Sequence, residues 1–587
     1  MSNLSINHPD HAANGKQLFG HPVGLYILFF TELWERFSYY GMRALFVLFL
    51  TASVTSENSG FGWDSSRALE LYGWYTMMVY VASIPGGILA DKVFGQKKMV
   101  VIGGTLLCIG HGVLAIEALW AWYAGITLIV MGVGGLKPNI STMVGGLYKQ
   151  RDERRDIAFT IFYIGINIGA FLAGLIIGPI GENVNWHLGF GLAGAGMVVG
   201  QILFIWGTRF LKGVGEVEKG EETFGAASGS KSNEPSYLSK LMGNISALAA
   251  NVLVFLAGAY LLFDGTIGYG LLVMGVSFFV GFFIVMLSEL EGKERDRVVV
   301  LILSYLIVIV FWGAFEQAGG LMNLYASDKT DRLISILNLD IIFGVAILGL
   351  IIRGIYSKVK KSGGLYWFAG AGFLLLTFAL LRMLVFTAPG GDSPAGFYEV
   401  PATVFQSVNS FFIFTLGTLV AFFWYNRKMK GKESSSLFKM AMGVIIMGLG
   451  FTFMSIATKE WAANGSSAMY WLVLAYMFHT IGELCTSPVA MSFITKIAPA
   501  KYVSIMMGFY FAATGFGNKL AGELGELSTS VGEFEVFTGI TIFCVVFGGL
   551  VIALLKPLKR LTHGAEDVSP EVAIEEEGYS RRDKVEV

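Results

Sequence analysis

The sequence predicts an all-α, polytopic membrane protein with two six-helix bundles and two extra transmembrane hairpins, about sixteen spans in total. Two observations support this fold class. The 587-residue chain is 54% hydrophobic and only 14% charged, whereas soluble domains carry about 25% charged residues. Apolar segments long enough to cross a bilayer also recur along almost the whole chain. Because a soluble core could not bury so much apolar surface, the chain is expected to lie in a lipid bilayer.

The spacing of the apolar segments predicts the order of the domains. A polar stretch rich in glycine, serine and charge interrupts the apolar pattern after the first six spans and is typical of a flexible linker. The last residues are acidic and poor in apolar side chains, which predicts disorder. The predicted order is a cytoplasmic N-terminal segment (1–21), the N-terminal bundle (22–211), a cytoplasmic linker (212–236), an inserted hairpin (237–290), the C-terminal bundle (297–556) with an extra hairpin at 331–388, and a cytoplasmic tail (557–587).

The distribution of lysine and arginine predicts the orientation of the spans. Loops such as DKVFGQKK, YKQRDERR and RGIYSKVKK are basic, whereas the alternate loops, such as SVTSENSGFGWDSS and TAPGGDSPAGFYE, are nearly free of basic residues. Basic loops remain on the cytoplasmic side of a membrane. The alternation holds only if the weakest candidate, 333–352, which contains Asn338 and Asp340, crosses the membrane. Both termini are therefore expected in the cytoplasm.

The first predicted span carries charges that a lipid-facing helix would not tolerate. Four ionisable residues lie among apolar neighbours, and each costs about 2.5–3.5 kcal/mol at membrane depth on insertion scales. Together with two tyrosines they recur at helical spacing and form one polar stripe, at Glu32, Glu35, Arg36, Tyr39, Tyr40 and Arg43. A static ion pair is the alternative interpretation, but it requires neither the second carboxylate nor the second arginine. The stripe therefore indicates a functional interior.

The same stretch, Glu32-x-x-Glu35-Arg36-Phe37-x-Tyr39-Tyr40-Gly41, resembles the first-helix motif of the proton-dependent oligopeptide transporter family within the major facilitator superfamily. The resemblance implies a proton-coupled importer of di- and tripeptides that works by alternating access between two bundles. It also implies a bacterial inner membrane, a proton gradient as the energy source and no cofactor. The implied partners are peptides, protons and the lipid bilayer.

Further motifs extend the resemblance along the chain. GGILADKVFGQKK, which contains Asp91, resembles the cytoplasmic loop motif of the superfamily. Asp91 stands at a helix end among lysines, where a pairing across the bundles is expected that is released when the bundles rock. FYIGINIG contains Asn167 and resembles the family signature FYxxINxG. FQSVN with Asn409 and GELCTSP with Glu483 resemble the family's eighth- and tenth-helix motifs. One departure is Tyr510, which occupies the place usually held by tryptophan and affects the expected shape of the pocket.

The resemblance and the residue chemistry together assign candidate roles. The groups expected to couple protons are Glu32, Glu35, Glu316 and Lys137. Arg36 and Lys137 are expected to attract a peptide carboxylate, Glu483 an amino group, and the asparagines a peptide backbone. The substrate-binding set is Arg36, Tyr39, Tyr40, Tyr80, Lys137, Asn167, Trp312, Asn409, Glu483 and Tyr510, and the gating set is Arg43, Glu316, Lys137, Glu483 and Asp91.

Three of these residues yield explicit geometric expectations. Lys137 precedes Pro138 inside an apolar helix and needs an anion, for which Glu32, Glu35 and Glu483 are the candidates. Trp312 and Glu316 are one helical turn apart, which predicts that the indole lies over the carboxylate on one face. The resemblance further implies a gate between Glu316 and Arg43.

Other functions are less consistent with the sequence. A net charge of −1 argues against a nucleic-acid partner, and the absence of a G-x-x-x-x-G-K-[ST] motif argues against direct use of ATP. An enzyme would need a nucleophile–base pair or metal ligands, and the sequence contains neither pattern. A channel would not need charges in corresponding places of both halves. The nearest alternative retains the fold and carries another solute, such as nitrate, a glycoside or a drug.

Overall fold

The computed structural model describes residues 11–149, 152, 154–216, 244–263, 267–359, 365–387, 396–499 and 502–565. The chain is helical over most of this length, and every predicted span coincides with a helix or with consecutive helices. Most of the predicted linker (212–236), the turn of the first inserted hairpin, the tip of the 331–388 hairpin and most of the acidic tail lie outside the described residues. The predictions for those segments therefore remain predictions.

The N-terminal bundle contains six membrane-spanning units. A short antiparallel pair, β1 (Gln17–Leu18) and β2 (His21–Pro22), precedes the first helix. The helices are α1 (Val23–Thr51), α2 (Ser65–Val81), α3 (Ser83–Leu89), α4 (Gln96–Leu114), α5 (Leu119–Gly146), α6 (Arg154–Asn183) and α7 (Trp186–Gly207), with a π-helical segment at Ala90–Phe94 that extends α3. The first helix packs on α6 and α7, and α4 packs on α5.

The C-terminal part contains the first inserted hairpin, a second bundle and the second inserted hairpin. The inserted pairs are α8 (Ile245–Phe263) with α9 (Ile267–Glu289) and α12 (Ile336–Val359) with α13 (Leu365–Thr387). The bundle helices are α10 (Gly292–Phe315), α11 (Leu321–Asp328), α14 (Gln406–Met429), α15 (Ser436–Asn464), α16 (Tyr470–Ile497), α17 (Val503–Val531), α18 (Glu533–Ala553) and α19 (Leu555–Leu561), with 3-10 turns at Glu316–Ala318 and Ala402–Phe405.

Short strands join the loops on one side of the molecule. β3 (Thr330–Asp331) pairs in parallel with β6 (Ser467–Ala468), and β4 (Leu333–Ser335) pairs antiparallel with β5 (Phe397–Glu399). We call this side the distal face, since the loop between α1 and α2 lies on it. The opposite side, where α1 begins, is the terminal face. The strands β4 and β5 connect the α12–α13 hairpin to the distal face of the C-terminal bundle.

The helices have the length and composition of membrane spans. Within the described residues, eleven helical segments are long and apolar enough to cross a bilayer. The helices α1, α16 and α17 are equally long, but they carry charged residues that lie mostly inside the protein. The weakest predicted span, 333–352, overlaps α12, whose Asp340 faces Arg382 of α13 at 3.7 Å. The ion pair inside the hairpin thus gives a partner to Asp340, one of the two polar residues that weakened the prediction of this span.

Candidate functional site

The charged stripe of α1 is buried. The side chains of Glu32, Glu35 and Arg36 are 4% exposed or less. The Nε atom of Arg36 lies 3.1 Å from Oε1 of Glu32, and its Nη2 donates a hydrogen bond of 2.8 Å to Oε1 of Glu35. The i,i+4 ion pair of the alternative interpretation is therefore present within the helix, and Glu35 adds a second carboxylate to it. The second carboxylate makes this a three-residue cluster with one excess negative charge.

The second arginine of the stripe joins the two bundles. Nη1 of Arg43 lies 3.2 Å from Oε1 of Glu316, which belongs to the C-terminal bundle, and Nη2 donates to Oε1 of Gln406 at 3.2 Å. The hydroxyl of Tyr72 donates to the other carboxylate oxygen of Glu316 at 2.9 Å. Arg43 and Glu316 are each less than 10% exposed. The pair that the resemblance implied is thus a buried, hydrogen-bonded contact across the bundle boundary.

Trp312 and Glu316 lie one helical turn apart, as predicted, and the backbone N–H of Glu316 donates to the carbonyl of Trp312. The α10 helix ends at Phe315, and Glu316 begins a 3-10 turn that leads to Gly319 and Gly320. A Cβ atom on Gly319 would lie 2.0 Å from the hydroxyl oxygen of Tyr72, so only glycine allows this close approach. The Glu316 carboxylate binds Arg43 and Tyr72, and the Trp312 ring contacts Phe311 and Phe315. The expected position of the indole over the carboxylate stays a prediction.

The expected carboxylate partner of Lys137 is wrong for this conformation. Within the described residues, no carboxylate oxygen lies within 4.0 Å of its ammonium group, which instead stands 3.9 Å from the ring centroid of Tyr80. The α5 helix continues through Pro138, and Ser141 and Thr142 donate hydrogen bonds to the carbonyls of residues 137 and 138. A half-buried cation without an ion-pair partner is suited to receive an anionic ligand.

Glu483 is bound within its own bundle. The Nδ2 atom of Asn409 donates to Oε2 of Glu483 at 2.8 Å and to Oγ1 of Thr480 at 3.1 Å. On the other bundle, Asn167 donates to the carbonyl of Tyr163 at 3.0 Å. Asn409 lies on α14 and binds α16, whereas Asn167 binds its own helix, α6. The helices α6 and α14 contact each other across the bundle boundary. Tyr510 is buried on α17.

The tyrosines of α1 surround the two arginines. The guanidinium carbon of Arg36 lies 5.2 Å from the ring centroid of Tyr39, and that of Arg43 lies 5.2 Å from the ring of Tyr40. Asp91, in contrast, is exposed in the π-helical segment at the terminal face. Within the described part of the chain, no ion pair joins Asp91 to the C-terminal bundle, so its expected pairing across the bundles is absent in this conformation.

Several residues that belong to this site were not selected from the sequence. Tyr72 and Gln406 both bind the Arg43–Glu316 pair, and Thr480 shares a donor with Glu483. Gln406 belongs to the FQSVN motif, so the motif held the signal although only its asparagine was selected. Tyr72 and Tyr75 recur at helical spacing in the LYGWYTMMVY stretch, a pattern that could have indicated a polar face.

The fold and this site define a multi-pass membrane protein whose two helical bundles meet at buried, mutually paired charges. The POT family model matches residues 97–342 and 376–538, and the chain belongs to that family, as its first-helix motif predicted. The match also agrees with the predicted fold class.

Curated relatives match along nearly the whole chain. The uncharacterized transporter YclF of Bacillus subtilis is 31% identical, with 94% of this chain and 96% of the relative covered. The peptide transporter YePEPT of Yersinia enterocolitica is 30% identical, with 94% and 97% covered. A di-/tripeptide transporter of Lactococcus lactis is 29% identical, with 93% and 97% covered. These relatives are transporters.

Solved structures share the fold. A crystal structure of the peptide transporter POT in complex with sulfate is 31% identical and superposes with a TM-score of 0.70, with 93% of this chain and 97% of that chain covered. A mutant of the peptide transporter POT in complex with alafosfalin is 30% identical, with a TM-score of 0.69 and the same coverage. The similarity therefore includes both bundles.

Proposed function

We propose that this protein is a proton-coupled symporter of di- and tripeptides in a bacterial inner membrane, and that it is not an enzyme. The observation that carries the proposal is the buried Arg43–Glu316 contact between the bundles, in a chain of the POT family. The terminal face, with its basic loops and both chain termini, lies in the cytoplasm. Energy comes from the proton gradient, and neither ATP nor a cofactor takes part.

The peptide binds between the bundles through its fixed charges. The ammonium group of Lys137, which has no ion pair in the described residues, and the guanidinium of Arg36 attract the C-terminal carboxylate. Glu483 attracts the amino group, and Asn167 and Asn409 bind the peptide backbone. Variable side chains contact aromatic residues, namely Tyr39, Tyr40, Tyr80, Trp312 and Tyr510.

Protons act through the carboxylates that hold the bundles and the binding site. A proton on Glu316 removes the charge that binds Arg43, which weakens the contact between α1 and the end of α10. A proton on Glu32 or Glu35 releases Arg36 for the peptide in the same way. One charge that crosses 100 mV supplies about 2.3 kcal/mol, so coupled import is energetically feasible.

Uptake of labelled di-alanine into proteoliposomes tests the proposal. We expect accumulation with an inward proton gradient and only equilibration without one. Uptake that does not respond to the gradient would contradict proton coupling, and an absence of uptake would favour another cargo such as nitrate, a glycoside or a drug.

The variant Glu32→Gln makes the test more specific. We expect it to lose gradient-driven accumulation while counterflow exchange remains measurable, because the amide retains the shape of the side chain but cannot titrate. Glu117→Gln, at an exposed position between α4 and α5, is the matched control. If Glu32→Gln accumulates peptide as the wild type does, Glu32 has a structural role only.

A further inference from the structure

The carboxylate of Glu182, the penultimate residue of α6, binds groups of the C-terminal part of the chain. Its Oε1 accepts hydrogen bonds from Nη1 of Arg332 at 3.0 Å and from the backbone N–H of Ala402 at 2.9 Å. Its Oε2 accepts from the backbone N–H and the hydroxyl of Thr403, at 3.0 and 2.9 Å. The carboxylate is only 13% exposed. We call Glu182, Arg332, Ala402 and Thr403 the Glu182 latch.

The donors of the latch are groups that need a partner. Ala402 and Thr403 begin the 3-10 turn that continues into α14, and the first N–H groups of a helix have no acceptor within the helix. A carboxylate at this end also interacts favourably with the helix dipole. If α6 moved away from α14, these N–H groups and Arg332 would lose their acceptor together.

The backbone that carries Glu182 is fixed to the N-terminal bundle. The Nδ2 atom of Asn58 donates to the carbonyls of Gly181 and Glu182 at 2.8 and 2.9 Å. Its Oδ1 accepts from the backbone N–H of Trp186 at 3.1 Å, and the indole N–H of Trp186 donates to the carbonyl of Asn58 at 3.0 Å. The carboxylate therefore moves with the distal end of the N-terminal bundle and does not swing freely.

Below the latch, α6 and the start of α14 touch directly. A Cβ atom on Gly178 would lie 2.5 Å from the hydroxyl oxygen of Thr403, and one on Gly174 would lie 2.3 Å from that of Ser407. The Ser407 hydroxyl donates to the carbonyl of Phe171 at 2.7 Å. The latch thus closes a continuous seam between the two bundles on the distal side.

The latch also includes the base of the second inserted hairpin. Nη1 of Arg332 donates to the carbonyl of Val400 at 2.9 Å, and its Nη2 lies 2.8 Å from a carboxylate oxygen of Glu399. The next residues form β4, which pairs with β5. The two chain segments that enter and leave the α12–α13 hairpin are therefore both bound at Arg332, next to the Glu182 carboxylate.

We propose that the Glu182 latch is a second gate of the transport cycle, separate from the Arg43–Glu316 pair and nearer to the distal face, and that it attaches the α12–α13 hairpin to this gate. The inference rests on the proposed function, because it assumes that the bundles separate on the distal side during transport. In this account Glu182 contacts no peptide and acts by stabilising the closed distal seam.

Thiol labelling measures the opening of this seam. A cysteine in place of Ser407, which is 3% exposed, reacts with a membrane-impermeant thiol reagent only when α6 and α14 separate. Cys108 is replaced by serine throughout. The background reaction of the buried Cys485 and Cys544 is measured in a protein that retains Ser407 and is subtracted from the rate. The rate then reports the population of the open seam, even where that population is small.

We expect Glu182→Gln to increase the labelling rate at position 407 by about tenfold, because the amide cannot bind Arg332 as an anion and donates where the latch needs acceptors. Glu57→Gln, at an exposed position of the same face, should leave the rate unchanged. Equal rates in Glu182→Gln and in the parent protein would overturn the proposal.

Thr403→Val is a second and milder test, since it removes one hydroxyl and retains the side-chain shape. It should increase the rate about threefold, and an unchanged rate would contradict the latch even if Glu182→Gln could not be purified. The labelling requires neither peptide nor proton gradient. A wild type that does not transport peptides would therefore contradict the proposed function without affecting this measurement.

Discussion

The distal and terminal halves of the bundle interface differ in how the bundles are joined. The distal half contains hydrogen bonds and ion pairs between the two bundles, among them Arg43–Glu316, the Glu182 latch and Asn323 with the Ala44 carbonyl. The ion pairs Lys97–Glu216 and Glu433–Lys559, near the terminal face, do not join the two bundles.

Exposure follows the same division along a single helix. On α6, Tyr163 and Ile164 in the terminal half are 40% and 42% exposed, whereas Phe171 and Leu175 in the distal half are 3% and 2% exposed. The structure therefore corresponds to the state of an alternating-access cycle that is closed on the distal side. We infer that the inter-bundle contacts of the distal half are the ones that protonation must weaken before the bundles can separate there.

The largest expected effect is that of Glu316→Gln on the distal half. The amide lacks the charge that binds Arg43, so the distal contact no longer depends on a proton. We expect gradient-driven accumulation of di-alanine in proteoliposomes to fall by about 100-fold, while counterflow exchange persists. Glu117→Gln serves again as the control. Normal accumulation in Glu316→Gln would remove the distal pair from the coupling mechanism.

Glycine substitutions compare the closed and open halves directly. A Cβ atom on Gly178 would lie 2.5 Å from the Thr403 hydroxyl oxygen. A Cβ atom on Gly508 would have no described atom within 4 Å apart from its chain neighbours and the backbone of its own helix. We expect Gly178→Ala to lower the free energy of unfolding, or of distal closure, by about 1–3 kcal/mol. Gly508→Ala should be neutral or stabilise α17 by up to about 1 kcal/mol.

Thermal unfolding together with labelling at position 407 checks this pair of variants. A lower melting temperature or a faster labelling rate in Gly178→Ala alone would support the comparison. Equal behaviour of the two variants would show that the close approach of α6 and α14 contributes nothing to distal closure.

Lys137→Gln removes a charged group that takes part neither in the inter-bundle contacts of the distal half nor in the ion pairs near the terminal face. Because the ammonium lies over the Tyr80 ring and is available to a carboxylate ligand, we expect its loss to raise the apparent KM for di-alanine by about tenfold. Tyr80→Phe retains the ring and should remain within about twofold of the wild type. Uptake kinetics that change only in maximal rate would argue against a role of Lys137 in binding.

The smallest effect is expected at the terminal face, where Glu433 lies outside the spans. Burial opposes its ionisation, but the Ser435 hydroxyl and N–H and the Lys559 ammonium lower the pKa of Glu433 to about 2. A carboxylate whose pKa is lower in the folded than in the unfolded protein stabilises the fold at pH values above its unfolded-state pKa. This stabilisation is lost as the pH falls from about 4.5 toward 2. The partly exposed pair should contribute less than about 1 kcal/mol.

Thermal unfolding of Glu433→Gln as a function of pH measures this contribution. The difference from the wild type should be small at neutral pH and should disappear in acid. A difference that grows as the pH falls would contradict the stated origin of the stability.

The sequence predicted those parts of the site that follow from local spacing or from a motif. The Glu32–Arg36 pair follows from i,i+4 spacing within one helix, and the Arg43–Glu316 pair followed from the family motif. The spans were predictable because apolar length alone determines them.

Contacts between bundles were not predictable from local pattern. Glu182 stands in GPIGENVNW at a helix end, where a carboxylate is ordinarily solvated, and its four donors are 150 residues or more away in sequence. Lys137 had several carboxylate candidates but lies over Tyr80, whereas Glu32 and Glu35 bind Arg36 and Glu483 binds Asn409. Such partners depend on which state of the cycle the chain adopts.

The most direct test of the account is the distance across the distal face as a function of pH. Nitroxide labels at the exposed positions Val54 and Tyr470, one on each bundle, report the separation of the bundles when measured by double electron–electron resonance. We predict that the distance distribution gains a longer component when the pH is lowered, and that Glu316→Gln shows this component at high as well as at low pH. Identical short distances at both pH values in the wild type would contradict the claim that protonation opens the distal gate.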